Sequence, residues 1–223
     1  MRDGTEISRP RGRPRRFDPD AALVRARQVF LRHGYDGATL DALAEAMGIN
    51  RPSLYAAFGD KETLYLRALE AFGRDVSEGM RMALAATPDL AAAIGAVYGA
   101  ALDIYFAEAE APTGCLVMST AVTAALDLPA ARAIADAVLD DLDSAFTARI
   151  AEAVKAGALP AGTDAASLGE MATGGLVALA IRARAGQSRA RLDRIAANTA
   201  RLLAAGGGSA GPQAALGSGA RSA

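Results

Sequence analysis

Four polar side chains are gathered at the start of one short segment, Asn50, Arg51, Ser53 and Tyr55 of "NRPSLYAAFG". They offer an amide, a guanidinium, a hydroxyl and a phenol. Such groups reach phosphate oxygens and the edges of bases, and a bidentate arginine can read guanine. Lys61 stands eight residues after Ser53, at the start of a further helical segment. A lysine and free backbone N–H groups at a helix start suit phosphate. A second concentration of charge lies in "RPRGRPRRFD", with five arginines in its first eight residues. Both clusters point to a polyanion.

Local signals define the elements that must hold these groups. In "FDPDAALVRARQVFLRHG", Asp18 can cap a first helix, Pro19 suits its first position and Gly34 can stop it. Leu23, Ala26, Arg27 and Phe30 share one face. Thr39 caps a second helix, "TLDALAEAMG", whose Leu40, Leu43, Ala44 and Met47 repeat at i, i+3, i+4, i+7. Gly48 can take a left-handed turn. A third helix follows within two residues, with Asn50 as cap and Pro52 in its first turn. Leu54, Ala57 and Phe58 would hold it against its neighbours. A fourth begins at Asp60 with a stripe of Tyr65, Leu69, Phe72 and Val76. Two short helices around a glycine turn form a helix-turn-helix, whose second helix can enter the major groove. An ordinary helical hairpin has the same outline.

Further helices are predicted at about 88–108, 113–125, 129–156, 164–185 and 188–204, separated by Pro88, Pro129 and "GALPAGTD". Abundant alanine and few β-branched residues favour helix over sheet. Residues 1–16 form a basic arm and 206–223 a Gly/Ser/Ala tail expected to be disordered. The arm carries a net charge of +4, whereas residues 91–180 carry −8, although the chain as a whole stands at −1. A basic end on an acidic body directs a polyanion to that end alone. There is no apolar run of about 18 residues, so no membrane span is expected. A single cysteine, Cys115, permits no internal disulfide, and the cytoplasm is the expected setting.

The run "AALVRARQVFLRHGYDGATLDALAEAMGINRPSLYAAFGDKETLY", within Phe17–Tyr65, resembles the DNA-binding domain of the TetR family of bacterial transcriptional regulators. The succession of "HGYDGATL", "LAEAMGI" and "SLYAAFGDKETL" carries the likeness. The resemblance implies an all-α fold of about nine helices. Residues 17–62 would be a three-helix helix-turn-helix domain and 63–205 a larger ligand-binding and dimerisation domain. It implies that Thr39 and Lys61 hold phosphates, and that Arg51, Ser53 and Tyr55 face DNA. It further implies a homodimer through the helices at about 164–204, a pseudo-palindromic operator, and release of a repressor by a small-molecule inducer. Gly174 and Gly175 would permit close helix approach at that dimer interface. Arg11-Gly12-Arg13-Pro14 resembles the core of an AT-hook, so Arg11 and Arg13 are expected in a narrow minor groove. A basic tail adding only nonspecific attraction is the alternative.

The sensor is less defined. Tyr98, Leu102 and Tyr105 fall on one face of the fifth helix, and Met118 and Val122 could face them from the sixth. Cys115, at the start of that sixth helix, would have its thiol pKa lowered by the helix dipole. That reading makes it an oxidant or electrophile sensor, against a plain buried hydrophobe. An architectural binder of A·T-rich DNA and a helical enzyme using Cys115 as nucleophile are the competing classes. "GGSAG" at 207–211 matches a hydrolase pattern without the strand and helix it requires. One histidine and one cysteine suggest no metal site, and no cofactor is expected. Gly95 and Gly99 suggest a close helix crossing.

Overall fold

The computed structural model describes residues 17–107 and 112–206, and among these it is entirely helical. The arm residues, Arg11 and Arg13 included, and the tail from Gly207 lie outside the described residues. Nine α-helices follow one another: α1 (Pro19–Gly37), α2 (Leu40–Met47), α3 (Arg51–Phe58), α4 (Lys61–Ala85), α5 (Leu90–Tyr105), α6 (Leu116–Val122), α7 (Pro129–Lys155), α8 (Ala165–Arg184) and α9 (Arg189–Ala204). The expected all-α architecture, a small helix-turn-helix unit followed by a larger helical unit, is the one observed.

The first four helix starts are set by side-chain caps. Asp18, Thr39, Asn50 and Asp60 each accept a backbone N–H from the first turn, at 2.7 to 3.2 Å. Each cap supplies an acceptor for a donor that has no partner within the helix. Gly48 takes the left-handed conformation (φ 67°, ψ 31°), and the N–H of Ile49 returns to the Ala44 carbonyl at 3.0 Å. That closure turns the chain directly into α3. Gly34 (φ 71°, ψ 180°) interrupts α1 where a stop was expected, but one further turn follows, to Gly37.

Apolar faces then pack these elements together. Phe30, Leu43, Met47, Leu54, Leu64 and Tyr65 are buried between α1 and α4. Tyr65 is met by the rings of Phe30 and Tyr35, with centroids 4.8 and 5.0 Å away. α4 continues beyond this cluster into the second half of the molecule. Arg149 of α7 donates to the carbonyls of Leu84, Thr87 and Pro88 and so completes the C-terminal end of α4. Tyr98 of α5 packs on Phe146 and donates to the Ala172 carbonyl of α8 at 2.8 Å.

Close helix crossings lie elsewhere than expected. A Cβ at Gly95 or Gly99 would meet nothing within 4 Å, so neither glycine marks a crossing. Tight approaches occur at Gly73 of α4, where a Cβ would come within 2.5 Å of Val138, and on α8. A Cβ at Gly169 would strike the Thr147 hydroxyl and come within 2.9 Å of the Thr147 backbone nitrogen. One at Gly175 would strike the Tyr98 hydroxyl, so Gly175 serves packing within the subunit. The sixth helix also starts later than the predicted 113. Thr113 is held to the Tyr105 carbonyl at 3.0 Å, and Gly114 (φ 71°) turns the chain before α6 begins. Among the described residues, no helix is long and apolar enough to cross a membrane.

Gly169→Ala is expected to destabilise the protein by about 1–3 kcal/mol, because backbone atoms cannot yield to the added methyl. Gly95→Ala is expected to stabilise it by about 0.5–1 kcal/mol, as for an unobstructed helix-interior glycine. Thermal unfolding of the two variants checks both signs.

Candidate functional site

The polar edge of the helix-turn-helix is assembled from helix starts. Leu54 and Phe58 bury one face of α3, which turns Arg51, Tyr55 and Ala56 outward. Tyr55 is 50% exposed, unusual for an aromatic ring with no surface partner in view. Ser53 is half-buried, and its N–H is taken by the Asn50 side-chain oxygen at 2.9 Å. Asn50 therefore spends its acceptor on the cap and keeps its amide donors. Thr39 likewise accepts from Ala42 at 3.2 Å, leaving its hydroxyl proton to donate.

Arg51 has a partner that sequence reasoning missed. Its Nε and Nη2 grip the Asp41 carboxylate at 2.6 Å each, joining the start of α3 to the start of α2. The hydrogen bond from Arg51 holds the Asp41 carboxyl below its usual range. Both side chains are exposed, so the pair screens Arg51 without burying it. The two residues lie on different elements, and no helical period links them. Lys61 lies over the Tyr35 ring, 4.5 Å from its centroid, and donates to the Asp36 carbonyl at 3.3 Å. The contacts Lys61–Asp36 and Asp41–Arg51 flank Thr39 in the chain. Arg51 and Lys61 are thus tied to residues on either side of Thr39. Phe17 packs on Phe58 with centroids 6.1 Å apart, so the chain enters α1 beside α3.

A cavity of about 110 Å³ lies among α4, α5, α6, α7 and α8. Of the six sensor residues expected, Tyr105, Cys115 and Met118 line it. Tyr98 and Leu102 do not: both are fully buried in the core. The cavity faces the adjacent side of α5, through Val97, Ala101 and Ile104, and Tyr105 stands at the border of the two faces. Val122 is exposed, and it lines an adjoining cleft of about 510 Å³ between the end of α1, α6 and α8, which shares Cys115 and Met118 with the cavity.

Of the two readings of Cys115, its surroundings favour the plain buried hydrophobe over the reactive thiol. Cys115 is buried, and burial pushes its pKa up to about 11. The N–H groups of Met118 and Val117 and the Tyr105 hydroxyl pull the other way, but not enough. α6 has only seven residues, so its dipole is small beside the cost of moving a thiolate out of water.

Two side chains from the second half of the molecule reach the helix-turn-helix end, one at the start of α4 and one on α1. Thr120 of α6 shares a buried hydrogen bond with the Tyr65 hydroxyl at 2.7 Å. Arg184, the last residue of α8, donates through one nitrogen to the carbonyls of Leu31 (2.8 Å) and Thr113 (3.0 Å).

A helix-turn-helix with an exposed polar third helix, joined to a larger helical unit that encloses an apolar cavity, defines a ligand-responsive class of DNA-binding regulator. Comparison with known proteins agrees. Residues 22–68 match the model of bacterial regulatory proteins of the tetR family, and residues 91–199 that of a tetracyclin repressor-like C-terminal domain. The chain is 31% identical over 209 residues to the HTH-type transcriptional repressor ComR of Escherichia coli K12, covering 90% of this chain and 96% of that protein. It is 45% identical over 65 residues to the repressor BdcR of the same strain, covering 29% and 33% of the two chains. The solved structure of a cysteine mutant of the TetR family regulator CifR, complexed with a 26-base-pair operator, superposes with a TM-score of 0.73. Identity there is 34%, over 85% of this chain and 98% of that one. This chain belongs to the TetR family of bacterial transcriptional regulators.

Native Cys115 is expected to react with iodoacetamide at pH 7.5 at least ~100-fold more slowly than the unfolded protein, since only the thiolate attacks. Equal rates in the two states would mean that the thiol is not buried.

Proposed function

We propose that this chain is a cytoplasmic repressor that binds a pseudo-palindromic operator as a homodimer and is released by a small-molecule effector. The carrying observation is the set Thr39, Arg51 and Tyr55, polar and exposed, with half-buried Lys61 beside them, on a unit whose other faces are buried. On this reading Tyr55 and Arg51 reach bases and phosphates from α3, with Asn50 and Ser53 beside them, while Thr39 and Lys61 hold phosphates. Arg51 exchanges part of its grip on Asp41 for DNA. The likeness to a repressor over nearly the whole chain, and to a regulator solved on its operator, supports the same reading.

Dimerisation is supported by an unpartnered strip on α8. Met171, Gly174, Ala178 and Ile181 are small or apolar and follow one exposed face, and Leu202 of α9 is exposed too. A Cβ at Gly174 would meet nothing within the chain, which leaves that position open to a second copy.

Release is supported by the linkage around α6. Cys115 and Met118 line the cavity, and two residues before Cys115 stands Thr113, whose carbonyl Arg184 ties to that of Leu31. Thr120 holds Tyr65 against Phe30 and Tyr35 of α1. An effector that binds better when α6 has shifted would shift α1 with it. Only such unequal affinity for two states can move the equilibrium. Burial of Cys115 and its raised pKa speak against thiol sensing as the trigger.

Fluorescence anisotropy on DNA from upstream of the protein's own gene, at two salt concentrations and against scrambled DNA, tests the operator reading. Specific binding that survives the higher salt upholds it, and equal, salt-sensitive binding to both DNAs points to an architectural role. Tyr55→Ala and Lys61→Ala are each expected to weaken operator binding by roughly 1–3 kcal/mol and to leave the dimer intact on size-exclusion chromatography. Arg184→Met is expected to cost roughly 1–3 kcal/mol of stability, as for hydrogen bonds to a charged group. It should speed hydrogen exchange in both 30–36 and 112–118. Acceleration in one segment alone would break the proposed link.

A further inference from the structure

On the effector reading above, we infer that the molecule filling the cavity among α4–α8 is uncharged, mostly apolar and about one six-membered ring in size, with at most one hydrogen-bonding atom directed to Tyr105. Size comes from the volume of about 110 Å³. An apolar cavity of roughly 150 Å³ accepts benzene and stays dry when empty. Chemistry comes from the walls. Phe72, Val97, Met118, Leu142 and Leu176 present only hydrocarbon and thioether.

Two polar groups face the interior, the Tyr105 hydroxyl and the Cys115 thiol, and they are hydrogen-bonded to each other. Burial raises both pKa values, so both groups stay neutral at physiological pH. The one remaining ionisable residue of the wall is Asp75, whose side chain is 69% exposed and paired with Arg27 at 3.2 Å. It stands at the rim with its charge already met. Among the described residues no Lys, Arg or His lines the cavity; Arg27 stacks on the Phe72 ring, 5.2 Å from its centroid, and is paired with Asp75. An anionic ligand would lose its water and find no counter-charge, and Asp75 would oppose its entry. A cationic one would find only a carboxylate that faces solvent. Either loses several kcal/mol relative to a neutral isostere. Tyr105 can turn its hydroxyl from Cys115 to a single ligand atom.

The full-length protein can be examined by calorimetric titration and thermal shift with four one-ring probes: toluene, benzyl alcohol, benzoate and benzylammonium. The two neutral probes are expected to bind and raise the melting temperature, and the two ions to do neither. Tyr105→Phe should weaken benzyl alcohol several-fold and leave toluene unchanged, a split that general loosening of the core would not produce. Binding of either ion as tightly as its neutral counterpart, or of no neutral probe, overturns the inference. Operator affinity is followed in parallel. Neutral probes that bind without weakening the operator complex uphold the ligand class and overturn the effector reading. Operator release by an ion alone overturns the class and upholds the effector reading.

Discussion

Arg184 carries a cation from the end of α8 to two backbone carbonyls that belong to different parts of the molecule. One, Leu31, lies in the last turn of α1 before the break at Gly34. The other, Thr113, lies in the turn that launches α6. A cation near a helix C-terminus meets both free carbonyls and the negative end of the dipole. The contact also demands close approach. A Cβ at Gly114 would come within 3.0 Å of the Ala180 carbonyl and 3.4 Å of Arg184 Cβ. Glycine at 114 lets the α6 turn lie on α8, and that proximity lets one guanidinium hold α1 and α6 together. Through Arg184 the helix-turn-helix unit is joined to the turn that launches α6.

The edge proposed to meet DNA is held together within the chain. Its caps, Thr39, Asn50 and Asp60, fix the three helix starts with neighbouring N–H groups. Arg51 is held by Asp41, and Lys61 by the Tyr35 ring and the Asp36 carbonyl. Such prearrangement lowers the entropy lost when long side chains meet phosphate. Charge distribution adds direction: the −8 of residues 91–180 keeps the larger unit away from a polyanion, and the +4 of residues 1–16 attracts it. Because Phe17 packs on α3, that basic arm joins the body beside the helix proposed to read DNA.

The same α6 that leans on Tyr65 also walls the cavity. Its first turn is apolar and buried, and Thr120 keeps its hydroxyl for the Leu116 carbonyl and the Tyr65 hydroxyl. This seven-residue helix is a small body that meets α1, α4, α7 and α8. Long α7 and α8 pack tightly across Gly169 and form the frame beside it.

Much of this was legible without coordinates. The caps at Asp18, Thr39, Asn50 and Asp60, the left-handed Gly48 and the buried face of α3 all arise from residues within a few positions of one another. Local sequence determines them because their hydrogen bonds close within one turn. Those signals gave the outline of a helix-turn-helix, and the resemblance of its run of motifs to a known family gave the class of regulator. Tertiary structure alone decided the rest. Tyr98 and Leu102 share a helical face with Tyr105, yet only Tyr105 borders the cavity, since the neighbours of α5 come from elements tens of residues away. A helix start suggested a reactive Cys115, but burial by distant helices outweighs the local dipole. Gly95 and Gly99 have the spacing of a crossing and face open space, while Gly73, Gly169 and Gly175 make the close contacts. The Arg51–Asp41 and Arg184–Leu31 contacts carry no period at all. Burial, cavities and couplings between elements depend on which surfaces meet, and those meetings are settled by the packing of the whole chain.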